Sequence, residues 1–244
     1  MRVVEDISYG PLDAQMLDLF LPEKTPCDLV VWFHGGGMDH GSHKEHPFME
    51  QLVEKGVAVA SVCYRMYPDV EFPAFIEDAA LSVAYMQKVR AEYGASGRLF
   101  VSGASAGAYL TVMLCLCPEY LKKVGVDPMS IDGFISESSQ MTTHFRVLQQ
   151  RGLDKRLERI DEAAPLFYIS ADTRFTRLLL IAYEDDMKCR LEQNLLAYQS
   201  ILRFNPETDV QFVRLPGKHV HGSKHPNEDG SFDFVRVLCE FISL

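Results

Sequence analysis

Leu99-Phe100-Val101-Ser102-Gly103-Ala104-Ser105-Ala106-Gly107 is the stretch of this chain whose reading decides the fold. Its first four residues fit a short buried strand, and Ala106 to Leu116 continues with small and apolar residues at helical spacing. Between strand and helix, Ser105 has only Gly and Ala at the two positions on either side. A serine in a tight strand-to-helix turn needs that pattern: its backbone is strained, and the positions two residues away lie where strand and helix meet, so bulk is excluded there. The stretch reads as a nucleophile elbow in its required context.

Outward from the elbow the same alternation repeats. Short apolar runs rich in β-branched residues occur at Leu29 to Phe33, Val57 to Cys63, Gly133 to Ser136, Leu178 to Tyr183 and Val210 to Leu215. Helical spacing follows in His46 to Lys55, Ile76 to Tyr93, Cys189 to Phe204 and Phe232 to Ile242. This is how parallel strands with crossover helices read in sequence. Before them, Val3 to Tyr9 and Met16 to Leu21 alternate apolar with polar around Gly10-Pro11-Leu12-Asp13, which predicts an antiparallel hairpin. The irregular part is Ser138 to Thr176, with Met141, Phe145, Leu148, Leu166, Phe167 and Tyr168 in no clean period. A segment that long inside a compact domain is expected to act as a lid or small cap, with a solvated helix and turn as the alternative.

No repeat and no Pro/Gly/Ser-rich linker divides the 244 residues, so one domain spanning 1–244 is expected. A hydrophobic fraction of 47% with 24% charged residues excludes disorder as the main state. Lys+Arg 24 against Asp+Glu 34 leaves a formal charge of −10 and no segregated basic patch, which argues against nucleic-acid and anionic-lipid partners. The N-terminus has no secretory pattern and no apolar run approaches the ~18 residues of a membrane span, so a soluble, cytoplasmic protein is expected, with a homo-oligomer left open. Cys27, Cys63, Cys115, Cys117, Cys189 and Cys239 lie scattered in apolar stretches and read as reduced, buried small hydrophobes.

A second motif, His34-Gly35-Gly36-Gly37, follows the strand Leu29 to Phe33. A Gly-rich turn presents backbone N–H groups, which can stabilise an oxyanion together with the amide after the nucleophile, here Ala106. It lacks the trailing Gly-Lys-Ser/Thr of a phosphate loop.

With these motifs, and with Val62-Cys63-Tyr64-Arg65-Met66-Tyr67-Pro68 and Phe72-Pro73-Ala74-Phe75-Ile76-Glu77-Asp78, nearly the whole chain resembles the α/β-hydrolase family, in the esterase branch related to hormone-sensitive lipase, acetyl esterases, formamidases and feruloyl-type esterases. The resemblance implies an eight-stranded, mostly parallel sheet with helices on both faces. It implies oxyanion amides at Gly36, Gly37 and Ala106, and structural roles for Tyr64, Arg65 and Asp78. The N-terminus is too short for the helical cap of larger members, which implies a more open acyl site.

The catalytic acid should follow the strand Leu178 to Tyr183, where Glu184-Asp185-Asp186 offers three carboxylates. The family pattern has a Gly three residues before the acid, which selects Asp186 although Tyr183 stands at the Gly position; Asp185 is the alternative. The base should come from Pro216-Gly217-Lys218-His219-Val220-His221-Gly222. A histidine two residues after Pro-Gly favours His219, and one directly before Gly favours His221. The order Ser, Asp, His is the hydrolase order. His40, His43 and His46 recur every third residue, but Gly41 and Pro47 break the helix that would align them, so a polar loop at a pocket rim is expected rather than a metal site. The serine mechanism needs no cofactor.

The expected function is hydrolysis of small carboxylic esters through an acyl-enzyme on Ser105. Arylformamidase or small-peptidase activity with the same triad is the alternative, and a non-enzymatic binding protein of the same fold is a third. A binding module has no need of nucleophile, acid, base and oxyanion glycines together.

Overall fold

The computed structural model describes residues 1–44 and 47–243. Eight strands run in chain order as β1 (Arg2–Ser8), β2 (Met16–Leu21), β3 (Asp28–Phe33), β4 (Val57–Val62), β5 (Leu99–Ala104), β6 (Gly133–Glu137), β7 (Arg177–Asp185) and β8 (Asp209–Lys218). They form one sheet in the order β1-β2-β4-β3-β5-β6-β7-β8. The expected hairpin β1–β2 is antiparallel, β2 pairs antiparallel with β4, and every later pairing is parallel. The helices are α1 (Met49–Glu54), α2 (Ala74–Val89), α3 (Ala106–Leu116), α4 (Glu119–Lys123), α5 (Phe145–Gln150), α6 (Arg190–Phe204), α7 (His221–Lys224) and α8 (Asp233–Ser243).

Successive residues of a strand face opposite sides of the sheet, so a strand covered on both sides must be apolar throughout. In β3, Leu29, Val31 and Phe33 join a core shared with α2, α3 and α6, whereas Val30 and Trp32 join a second core under α1 and α8. Helix α8 shows how a covering element is built. Phe234, Val235, Val237, Leu238, Phe241 and Ile242 are buried along one stripe, while Arg236 on the other side pairs with Asp233 and Glu240. Each large side chain of that stripe contributes about 1.5–3 kcal/mol by leaving water.

The structure differs from the sequence reading at ends and in short elements. Helix α1 begins at Met49 rather than His46, which lies outside the described residues. Helices α4 and α7 lie outside the expected helices, since four or five residues carry too little of a period to be seen as helical, and α5 falls in the segment where a helix and turn was the alternative. Strand β8 runs on to Lys218, three residues past the apolar run. Cys189 departs from the buried-cysteine expectation, since it is exposed and caps α6 with a left-handed φ of 63°.

The segment after β6 packs onto the sheet's core. Met141, Val147, Ala163 and Phe175 join the core over α3, and the Tyr109 hydroxyl donates to the carbonyl of Ala163 at 2.8 Å. Within the segment, Leu148 is fully buried, the Phe145 ring lies against Gly37, and Phe167 is 56% exposed.

Candidate active site

Ser105 stands at the junction of β5 and α3 with φ 54° and ψ −112°, a region that costs a residue with a side chain. The surroundings hold it there: its amide donates to the carbonyl of Glu137 at 2.8 Å, and its own carbonyl accepts from Tyr109 at 3.0 Å. A Cβ on Gly107 would stand 1.9 Å from the carbonyl oxygen of Phe33, and one on Gly103 would stand 2.4 Å from the carbonyl carbon of Gly107. These contacts are why the motif needs glycine on both sides.

His219 follows β8 directly. Its Nε2 lies 2.8 Å from Ser105 Oγ and its Nδ1 lies 2.5 Å from Asp186 Oδ1. Asp186, one residue beyond β7, is 1% exposed at its side chain. Its Oδ2 accepts from Ser138 Oγ at 2.7 Å, and its Oδ1 accepts from the amide of Met187 at 2.7 Å. Burial pushes this carboxyl up, but the hydrogen bond and charge of His219, with the bonds from Ser138 and Met187, outweigh it and hold Asp186 below the ordinary aspartate value. The two alternatives sit elsewhere. Asp185 is exposed at the end of β7 beside Lys218, and the His221 ring lies 4.9 Å from that of His225.

Gly36 and Gly37 turn the loop after β3 with φ of 111° and 63°. A Cβ on Gly36 would meet the carbonyl oxygen of His40 at 1.9 Å, so the turn closes too tightly for any other residue. Gly35 brings this loop onto the elbow, its Cβ position being 3.3 Å from that of Ser105. Ala106 is the first residue of α3, so its N–H has no intrahelical acceptor. The loop is anchored from behind. The Tyr64 hydroxyl donates to the carbonyl of His34 at 2.8 Å, and the His34 ring stacks on Tyr64 at 4.5 Å. Burial lowers His34 to about 4, so its ring is neutral and Nδ1–H donates to the carbonyl of Gly35 at 2.6 Å. Arg65 and Asp78 form the supporting bidentate pair at 2.8 and 2.7 Å. From the far side, Arg146 Nε donates to the carbonyl of Gly37 at 3.2 Å, and the same guanidinium pairs with Asp39.

Ser105, His219, Gly35 and Gly36 open on a cavity of about 340 Å³, with Trp32 and Phe48 at its apolar side and His40, Ser42 and Lys224 also on its wall. The histidines expected at a pocket rim divide. His40 bonds Asp39 at 2.6 Å and is exposed, while His43 Nε2 lies 3.7 Å from Asp18. Asp6, Asp18 and His43 bring ligand atoms within 4.8 Å of one another, but the Lys44 ammonium bonds both carboxylates, at 2.8 and 2.9 Å, and supplies the cation there.

Sequence reading missed Glu137, Ser138, Tyr183 and Arg146. Ser138, left-handed at φ 59°, holds the acid, and Arg146 holds the glycine loop. Their roles come from partners far away in the chain, which no local pattern records.

The chain shares its fold with solved esterases. Inhibited esterase B from Lactobacillus rhamnosis superposes with a TM-score of 0.80 at 18% identity, covering 99% of this chain and 86% of that one. This is the α/β-hydrolase fold. The sequence pattern of the BD-FAE family matches residues 17–148, more than half of the chain, and the chain belongs to that family. Among curated proteins it is similar to kynurenine formamidase of Danio rerio, 33% identical over 116 residues that cover 46% of this chain and 39% of the relative. It is also similar to esterase LipI of Mycobacterium tuberculosis, 27% identical over 184 residues covering 72% and 53%. The aligned part thus spans about two fifths to one half of these relatives' length.

Proposed function

We propose that the protein is a serine hydrolase of small carboxylic esters, with Ser105 as nucleophile, His219 as general base and acid, and Asp186 as the acid that orients it. The observation that carries this reading is the line Ser105 Oγ, His219 Nε2, His219 Nδ1, Asp186 Oδ1, with separations of 2.8 and 2.5 Å across its two hydrogen bonds. Ser105 Oγ attacks the ester carbonyl while its proton passes to His219 Nε2. The negative oxygen of the tetrahedral intermediate is held by the amides of Gly36, Gly37 and Ala106, each donor of this kind contributing about 2.7–4 kcal/mol to the transition state. His219 then gives the proton to the leaving alkoxide, and the alcohol departs. Water, activated by the same nitrogen, hydrolyses the acyl-serine and restores the site. Asp186 stays ionised throughout, stabilises the imidazolium and fixes the tautomer that leaves Nε2 free to accept.

The cavity supports short acyl groups. At about 340 Å³ it lies near the lower end of the ~300–1,000 Å³ of small-molecule sites. A methylene contributes about 0.8 kcal/mol only where it is buried, so the gain from lengthening the acyl chain stops after a few carbons. Hydrolysis of an N-formyl aryl amide is the second reading, supported by the similarity to the zebrafish formamidase.

The test is fluorophosphonate labelling followed by intact-mass spectrometry, run beside turnover of nitrophenyl esters, N-formylkynurenine and an acetylated sugar. Wild type takes one label and Ser105→Ala none. Equal labelling of both would remove Ser105 as the nucleophile, and preference for N-formylkynurenine over every ester would replace the first reading by the second.

A further inference from the structure

The last residue of β6 does more than end a strand. Glu137 is fully buried among elements that carry all three candidate catalytic groups. Its carbonyl accepts the amide of Ser105 at 2.8 Å. Its side chain reaches the other way: Oε1 accepts from the Tyr183 hydroxyl at 2.6 Å and from the amide of Ser223 at 3.1 Å. Tyr183 in turn accepts from the amide of Gly222 at 2.7 Å. The next residue, Ser138, bonds Asp186 at 2.7 Å and accepts from the amide of Val220 at 3.4 Å.

His219 stands between the end of β8 and α7, and α7 has four residues. A helix that short does not hold itself together, and its first-turn N–H groups have no acceptor within it. Two of those groups, on Gly222 and Ser223, are the ones that Tyr183 and Glu137 take up. Gly222 is needed for the approach, since a Cβ there would stand 2.4 Å from the Tyr183 hydroxyl. Val220, between His219 and α7, is left-handed at φ 51° and buried, a conformation that a β-branched residue keeps only under restraint from its surroundings.

We propose that Glu137, with Tyr183 as its relay, is a positioning residue that fixes the loop bearing His219 against the elbow bearing Ser105. One residue then ties base to nucleophile: its backbone holds the serine turn and its carboxyl holds the helix that follows the histidine. The role rests on the proposed function above. Burial raises the Glu137 carboxyl to about 7, against the bonds from Ser223 and Tyr183, in keeping with an Oε2 that has no hydrogen-bond partner among the described residues. A neutral side chain that still accepts at Oε1 therefore suits the place, and glutamine is its conservative substitute.

The experiment uses the whole chain and counts working sites by fluorophosphonate titration, so that loss of folded protein and loss of rate per site are separated. Glu137→Ala and Tyr183→Phe are expected to lower kcat per titrated site on p-nitrophenyl acetate by about 10- to 100-fold, the scale of a catalytic group displaced by about 1 Å, with KM changed less than about twofold. Glu137→Gln is expected to stay within about threefold of wild type. Tyr183→Phe keeps the buried ring, so the question stays decidable if the alanine variant does not fold. A labelled, active wild type whose Tyr183→Phe variant keeps the full rate per titrated site overturns the clamp alone. A wild type that neither hydrolyses esters nor takes the label overturns the functional reading and the clamp with it.

Discussion

Replacing Ser105 by glycine separates the strain of the elbow from its chemistry. Ser105 holds φ 54° and ψ −112°, and a non-glycine residue in so sparsely populated a region costs about 1–3 kcal/mol. Alanine keeps that cost, because it keeps the Cβ. Glycine removes it and instead loses about 0.5–1 kcal/mol through its greater freedom in the unfolded chain. Both variants lack the hydroxyl, so the 2.8 Å bond to His219 cancels from the comparison. The difference leaves Ser105→Gly more stable than Ser105→Ala by up to about 2.5 kcal/mol, or up to about 10 °C in Tm for a domain of this size. Thermal unfolding of the two variants by circular dichroism measures it, and neither variant should hydrolyse ester. A glycine variant that melts below the alanine variant would refute the claim that the turn stores strain.

Asp186→Asn is expected to lose about 10³- to 10⁴-fold in kcat through the wrong imidazole tautomer, whereas Asp185→Asn, at the exposed strand end, keeps most activity. His219→Ala should lose about 10³-fold or more and His221→Ala little, in steady-state kinetics of each; the reverse result exchanges their roles. Stability should fall with rising pH between about 4.5 and 7 because of Glu137. In that window the folded chain holds a proton that the unfolded chain has released, and the loss is complete above about 7. Urea unfolding across this range should show the trend in wild type and lose that part of it in Glu137→Gln. Asp78→Ala leaves the Arg65 guanidinium without its bidentate partner and should destabilise the fold by about 3–5 kcal/mol in the same assay.

The elements that could be read from sequence are those whose signal repeats. Leu29 to Phe33 is apolar throughout, and Val57 to Val62 is apolar except for Ser61, because both faces of the sheet are covered, and the helix after Ser105 was legible to both its ends. The elbow and the glycine turn were legible because close backbone approaches restrict residue choice, at Gly107 against Phe33 and at Gly36 against His40. Asp186 and His219 were reached only through the resemblance, with Asp185 and His221 beside them. Which neighbour meets the serine depends on where β7 and β8 end, and β8 runs past its apolar run through Pro216 and Gly217. Glu137 and Tyr183 were out of reach because their partners lie 86 and 39 residues away in the chain, a distance that no local period records.

The anchoring of the proposed triad bears on how such a chain can be remodelled. The elbow amide, the acid and the base loop are all held by Glu137 and Ser138, at and just beyond the tip of β6. The segment up to Thr176 begins only after them, and none of its residues lines the cavity at Ser105. A segment of different length grafted between about residue 147 and Thr176 would therefore leave the hydrogen bonds that join Ser105, His219 and Asp186 in place. Such a graft has to leave Arg146 in place, because its hydrogen bond to Gly37 reaches from this segment to the glycine loop after β3.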